Sequence, residues 1–354
     1  MTRIPNMKKG NKIRIGVVGC GKIATNHFNA ITELSDQYEL ISICDTHADT
    51  LHQASSHHGV EGYHDIPNML KSRPELDIVT LCSPSGLHAQ QTIQIAHMGK
   101  HVITEKPMAT RWSDGIDMVN ACDKANVKLF VVKQNRYQPA LQLLKNAIKK
   151  QRFGRIYLAN MNVFWTRPQA YYDQAKWRGT WEFDGGALMN QASHYVDLLD
   201  WLMGPVQSVQ AMMSTLAINM EAEDTGVLNI RWRSGTLGSM NVTMLTYPKN
   251  LEASLTILGE KGSVKIGGVS ANQIQHWEFD QTDEQDEHIE KLKEPPQLAA
   301  NAGHKLYYQN VAKTLRGEAQ ADTDGRDGLR SLEILVAAYL SARDNKNVSL
   351  PLIY

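Results

Sequence analysis

The chain has 354 residues, enough for two domains, with 37 basic side chains set against 37 acidic ones. That balance leaves no field of one sign to recommend a nucleic acid or an anionic membrane as partner. Four cysteines (Cys20, Cys44, Cys82 and Cys122) lie in or beside apolar runs without zinc-ligand spacing, so buried, reduced thiols in a cytoplasmic protein are expected. The first ten residues hold no apolar core for export. No run of 18 apolar residues follows that could span a bilayer.

In chain order, residues 13–18 form an apolar run that breaks at Gly19, Cys20 and Gly21 into a helical stretch. A buried strand, a tight glycine turn and a helix N-terminus make a seat for a pyrophosphate, because unpaired N–H groups and the helix dipole face the anion. Gly19 permits the turn and Gly21 lets the backbone approach the phosphates. Lys22 and Ile23 share the loop, and small Ala24 allows close packing. A second apolar run ends at Asp45, at the roughly 20-residue remove where an acid accepts from a ribose diol. Strands are expected at 13–18, 39–44, 77–82, 101–104 and 128–132, and helices at 22–34, 48–57, 66–71, 87–98 and 113–125. This alternation indicates a doubly wound parallel sheet with loops 19–22, 45–47, 83–88 and 105–107 on one rim.

After about residue 150 the pattern becomes β-rich, at 155–165, 206–215, 225–233, 236–245, 252–258 and 263–266, with Gly, Pro and Asn turns. Helices are expected at 186–202, 303–316 and 326–343, and the charged segment 279–295 reads as a solvated loop. The fold class is α/β. A nucleotide-binding Rossmann domain spans 1–135, and an α/β domain with a large, mostly antiparallel open sheet spans 136–354. The last helix, about 326–343, is a candidate to pack back on the first domain.

Two places could carry chemistry. Lys106, in Glu105-Lys106-Pro107, follows the fourth strand; the proline disfavours helical geometry before it and holds Lys106 extended. A lysine in a desolvated cleft can join proton transfer, although a surface lysine in a strand exit is the plainer alternative. Asn190 and His194 lie four apart on one helical face, suited to binding and deprotonating a hydroxyl. A core histidine satisfied by a carbonyl is the alternative there. Residues 133–139, with Gln134, Asn135, Arg136 and Tyr137, are too polar for a packing corner. Residues 164–181 interleave aromatics with arginines, among them Arg167, Tyr172, Trp177 and Arg178, which suits a large anionic ligand or an oligomer interface.

On these residues the chain resembles the glucose–fructose oxidoreductase/inositol dehydrogenase (Gfo/Idh/MocA) family over essentially its full length. The matching marks are loop 19–24, the run 82–88, Glu105-Lys106-Pro107 and helix 185–194. The resemblance implies an NAD-dependent dehydrogenase acting on a CH–OH group, with Lys106 and His194 as the catalytic pair and no metal. It further implies that Ser83, Pro84, His88, Glu105 and Gln134 lie near the cofactor, with Trp177, Arg178 and Tyr307 as additional contacts.

The run 190–197 carries Asn190 and Ala192 where many members have aspartate and glycine. It resembles the nucleotide-sugar subgroup that oxidises UDP-N-acetylglucosaminuronate at C3′ on the way to diacetamido uronic acids of bacterial surface polysaccharides. In that subgroup 2-oxoglutarate can reoxidise NADH. A UDP-sugar partner then implicates Lys106, Asn135, Arg136, Tyr137, Arg167, Tyr172, Asn190, Gln191 and His194 in substrate binding. A homodimer or homotetramer is expected. The alternatives are a dehydrogenase of a free sugar or inositol, and a non-catalytic NAD-sensing protein.

Overall fold

The computed structural model describes residues 10–293 and 302–353, which form two compact units, 10–134 with 302–332, and 135–293 with 333–353. The N-terminal segment read for export and the pair Pro295-Pro296 lie outside the described residues.

In the first unit strands and helices alternate: β1 (Ile13–Val18), α1 (Ala24–Glu33), β2 (Tyr38–Cys44), α2 (Ala48–His58), β3 (Glu61–Tyr63), α3 (Ile66–Ser72), β4 (Ile78–Leu81), α4 (His88–His97), β5 (His101–Thr104), α5 (Trp112–Lys124) and β6 (Leu129–Val131). The strands pair in parallel in the order β3-β2-β1-β4-β5-β6. This is the doubly wound order, which reverses between β1 and β4. The run Ile78–Leu81 is wholly buried, as a strand covered on both faces must be. Because the strands are parallel, the loops leaving β1, β2, β4 and β5 share one edge, as expected. The three-residue edge strand β3 was not foreseen.

The second unit contains α6 (Pro139–Lys149), β7 (Ile156–Phe164), α7 (Gln169–Tyr172), α8 (Ser193–Met203), β8 (Val206–Ser214), β9 (Thr225–Trp232), β10 (Leu237–Thr243), β11 (Glu252–Gly259), β12 (Gly262–Gly267), β13 (Gln273–Phe279) and α9 (Ile289–Lys293). After α10 (Ala302–Leu315) and α11 (Gly325–Asp344) the short β14 (Val348–Ser349) completes an eight-stranded sheet, ordered β13-β12-β11-β7-β10-β9-β8-β14. Within this sheet, among the described residues, only β7 and β10 pair in parallel. Strand alternation buries Ala159, Met161 and Val163 of β7 and leaves Leu158 on the open face.

Segment 302–332 groups with the first unit. Its α10 supplies the buried His304, Tyr307 and Tyr308, and the start of α11 sits so close to β6 that a Cβ on Gly328 would lie 2.6 Å from Val131. The helix expected at 186–202 is broken into a π-helical turn, Ala187–Gln191, and α8. Finally, the segment read as a solvated loop forms a 3-10 turn, Glu284–His288, and α9, anchored where Arg152 meets Asp286 at 2.7 Å.

Candidate active site

The glycine turn after β1 is built by two glycines with different jobs. Gly19 has φ +86°, and a Cβ on it would lie 2.8 Å from the backbone of Cys82 and Ser83, so the fold itself demands glycine. A Cβ on Gly21 would meet no protein atom within 4 Å. Packing does not explain that glycine, whereas a ligand lying against the backbone does. The N-terminus of α1 that follows has no side-chain cap, and Lys22 beside it is exposed. Asp45, at the end of β2, accepts from Cys20 N at 2.7 Å and from His47 N at 2.8 Å. Its carboxylate therefore braces the turn from the side where a ribose acceptor is expected. Burial and the nearby Asp45 push the Cys20 thiol up to about 12, which disfavours the reactive thiolate.

Ser83 and Pro84 leave β4 on the same rim, Ser83 donating to Gln91 Oε1 at 2.5 Å. His88 was expected beside a cofactor, but its ring is 1% exposed, with Nε2 2.9 Å from Ser83 O and Nδ1 3.1 Å from Pro107 O. It bolts the loop after β4 to the loop after β5, with no ring edge left for a ligand. Glu105 is likewise buried, under Lys106 and not beside it: its Oε2 accepts the Lys106 N–H at 3.0 Å and its Oε1 faces His27 Nε2 at 3.0 Å. Lys106 is half-buried and precedes a cis proline. Gln134 is half-buried, and α10 approaches it so closely that a Cβ on Gly303 would lie 2.8 Å from its carbonyl. Tyr307 is in the core, edge-on to Tyr308, and not on a surface.

In the second unit His194, half-buried, stands in the first turn of α8, just past the π-helical turn that carries Asn190 and Gln191. Such turns widen a helix locally and often mark functional segments. Two buried acids shape this one. Asp184 accepts from Gly179 N at 2.7 Å and from the Asn190 side chain, which fixes the direction of that amide. Glu223 Oε1 accepts from Leu188 N at 2.8 Å and from Tyr339 Oη at 2.9 Å, while Tyr339 Oη accepts from Met189 N at 3.1 Å. Burial pushes the Glu223 carboxyl up to about 7, against the lowering pull of those hydrogen bonds. Neither acid carries a sequence signal beyond the position of Asp184 before a glycine pair.

Gln191 accepts from Arg167 Nε at 3.1 Å and donates to Tyr171 Oη at 3.0 Å. The two arginines flank Tyr171, with Arg178 4.4 Å and Arg167 5.5 Å from its ring centroid; Arg178 also stacks on Trp177 at 4.6 Å. The result is a cationic, aromatic surface beside Asn190 and Gln191. Two expected substrate contacts do not join it. Arg136 is buried and paired twice with Asp197, at 2.8 and 2.7 Å, so its charge is spent within α8's own support. Tyr172 is also buried, its hydroxyl without a partner, and its neighbour Tyr171 holds the arginine contacts. Asn135 and Tyr137 are half-buried in the turn before α6.

Comparison with known proteins gives two matching family models: an oxidoreductase family NAD-binding Rossmann fold over residues 13–133 and the C-terminal alpha/beta domain of the same family over 145–350. The structure of the WlbA dehydrogenase from Chromobacterium violaceum, in complex with NADH and UDP-GlcNAcA, is 60% identical, covers 100% of both chains and superposes with a TM-score of 0.95. That of the WlbA dehydrogenase from Bordetella pertussis, with the same two ligands, is 55% identical over 97% of this chain and 99% of its own, with a TM-score of 0.94. Myo-inositol 2-dehydrogenase of Thermotoga maritima is 25% identical over 96% of this chain and 98% of its own.

Proposed function

This chain belongs to the Gfo/Idh/MocA oxidoreductase family, and from that premise we propose that it oxidises the C3′ alcohol of UDP-N-acetyl-D-glucosaminuronate to the ketone with NAD, in bacterial surface polysaccharide biosynthesis. The observation that carries this reading is the full-length likeness to two enzymes held with NADH and UDP-GlcNAcA. The open space at Gly21 and the uncapped start of α1 fit a dinucleotide's phosphates. Gly19, Gly21, Lys22, Ile23, Asp45, Ser83, Pro84 and Gln134 would hold the cofactor. Asp45, followed by Thr46 and His47 and no arginine, favours NAD, because its carboxylate would repel a 2′-phosphate. Bound there, the nicotinamide supplies the acceptor for the hydride.

The chain's own residues handle the proton and the sugar. His194 takes the hydroxyl proton as the C–H bond breaks, and Lys106 donates a hydrogen bond to the same oxygen as negative charge grows on it. Asn190, aimed by Asp184, and Asn135 orient sugar hydroxyls or the acetamido group, and Arg167 faces the diphosphate. The four free cysteines suit a reducing compartment, which supports a cytoplasmic location. On the open face of the second sheet, Leu258, Leu158 and Leu237 stand side by side across β11, β7 and β10, each about 40% exposed, which supports a homodimer or homotetramer.

Mass spectrometry of the purified protein incubated with UDP-N-acetylglucosaminuronate and NAD tests the reading: loss of two hydrogens from the sugar is expected. An arm with added 2-oxoglutarate reports whether bound NADH is recycled that way. Oxidation of a free sugar or inositol at equal efficiency would favour the broader dehydrogenase. Bound NAD with no turnover on any sugar nucleotide would favour a sensor. Lys106→Met and His194→Asn should each lower kcat about 100- to 10,000-fold while sparing NAD affinity. Near-normal kcat in both defeats the assignment.

A further inference from the structure

Beneath the Lys106 segment lies a closed set of polar side chains that no step above uses. His27 of α1, Glu105 at the end of β5, Thr80 of β4, and His304 and Tyr308 of α10 are each 5% exposed or less. Burial pushes the Glu105 carboxyl up, but the His27 hydrogen bond and the approach of His304 outweigh this and hold it well below the usual carboxylate range. At neutral pH Glu105 is therefore an acceptor only. Burial drives His27 the other way from protonation, so its ring carries a single N–H. That hydrogen sits on Nε2, 3.0 Å from Glu105 Oε1. Nδ1 must then accept, from Tyr308 Oη at 2.8 Å, and Tyr308 Oη in turn accepts from Thr80 Oγ1 at 3.0 Å. The hydrogen bonds run in one direction, from Thr80 through Tyr308 and His27 to Glu105, whose other oxygen holds the Lys106 N–H.

His304 is the odd member. Its Nε2 stands 3.6 Å from Glu105 Oε1, too far for a hydrogen bond, its Nδ1 has no partner, and the ring is 1% exposed. A buried imidazole so incompletely satisfied costs stability, which an apolar side chain of the same size would avoid. His27, Glu105 and His304 are also potential metal ligands, their donor atoms within 4.8 Å of one another. Yet the direct contact between His27 Nε2 and Glu105 Oε1, and the use of Glu105 Oε2 by Lys106 N, show groups that serve each other.

We propose that His27 and His304 are positioning residues for the dehydrogenase: with His27 bonded to its Oε1 and His304 packed against the same oxygen, the Glu105 carboxyl group fixes the backbone of Lys106 through Oε2 and so sets that lysine for the alcohol. The inference rests on the role given to Lys106 above.

His304→Phe separates positioning from packing, because Phe fills the space and removes the unsatisfied nitrogens. A packing residue would show an equal or higher Tm and unchanged turnover. The positioning role gives a maintained Tm, a kcat about 10- to 100-fold lower, and a KM for the sugar nucleotide within about twofold of wild type. His27→Leu should lower kcat in the same way, with a lower Tm because the buried carboxylate loses a donor, whereas His27→Gln, which keeps an N–H donor toward Glu105, should recover most of the loss. In ligand-free protein, hydrogen–deuterium exchange at the Lys106 amide should quicken in His304→Phe and His27→Leu while other segments hold. Unchanged kcat in both variants, or unchanged exchange at Lys106, overturns the proposal. A wild type inactive on the sugar nucleotide would sink the functional reading alone, since the exchange experiment needs no ligand.

Discussion

Glu105 in the first unit and Glu223 in the second are both almost fully buried, yet they are driven in opposite directions. Glu105 has acceptor contacts on both oxygens, to imidazole N–H and to the Lys106 amide, and stays ionised. Glu223 concentrates two donors on Oε1 and leaves Oε2 without a partner, and its carboxyl is pushed up to about 7. Burial is common to both and each has two donors, so neither decides the outcome; the placement and kind of the neighbours do, imidazoles beside Glu105 and the carboxylate of Asp224 near Glu223. Each acid braces the segment that carries a catalytic assignment, Lys106 in one case and the turn leading to His194 in the other.

The comparison breaks first under removal of the carboxyl groups. Glu105→Leu should cost about 3–5 kcal/mol in urea unfolding, because it leaves buried donors facing hydrocarbon where a charge stood. Glu223→Leu should cost about 1–3 kcal/mol. Equal losses would show that the two acids are held alike.

Titration sharpens it further. Glu223 takes up its proton more readily folded than unfolded. As pH rises from the ordinary carboxylate value to about 7 the folded state should lose stability, on the order of 3 kcal/mol, and then level off. Glu105 gives the opposite sign. Its stabilisation is fully present above the unfolded value and is lost only as pH falls toward the depressed folded one. Urea midpoints of wild type and Glu223→Gln at pH 5 and pH 8 should therefore diverge at the higher pH, the variant being the more stable there.

Smaller effects come from the partners. Tyr339→Phe removes the hydroxyl that joins Glu223 to Met189 N and should cost about 1–2 kcal/mol. Gly21→Ala, adding a Cβ that meets no protein atom, should leave stability within about 0.5 kcal/mol of wild type while weakening NAD, measured by calorimetry. A drop in Tm for Gly21→Ala would mean that the loop's second glycine is structural after all.

The sequence made the first unit legible because its signals are local. β1 and β5 have the expected bounds, and the Gly19 turn lies where spacing put it. What escaped depends on partners distant along the chain. Arg136 looked too polar for a packing corner, yet it finds Asp197, 61 positions away, and is buried. His27 and His304 give no local signal because the carboxylate between them lies 78 positions from the first and further still from the second. The break at 187–191 hides for another reason: Ala187, Leu188 and Met189 are ordinary helix formers, and only the buried Glu223 and Tyr339 draw that turn's amides toward themselves. β13 was missed because its outward residues are polar and its inward ones few.

The return of α10 to the first unit also has a bearing on how the protein is made. His304, Tyr307 and Tyr308 fill the interior beside α1 and β2, but the ribosome delivers them about 170 residues after Gln134. At ordinary elongation speeds the nascent first unit must wait roughly 10–30 s with that interior unfilled. A fragment ending at Gln134 should then be sticky and prone to capture by chaperones, and the same fragment should become well behaved when 302–332 is supplied as a separate peptide.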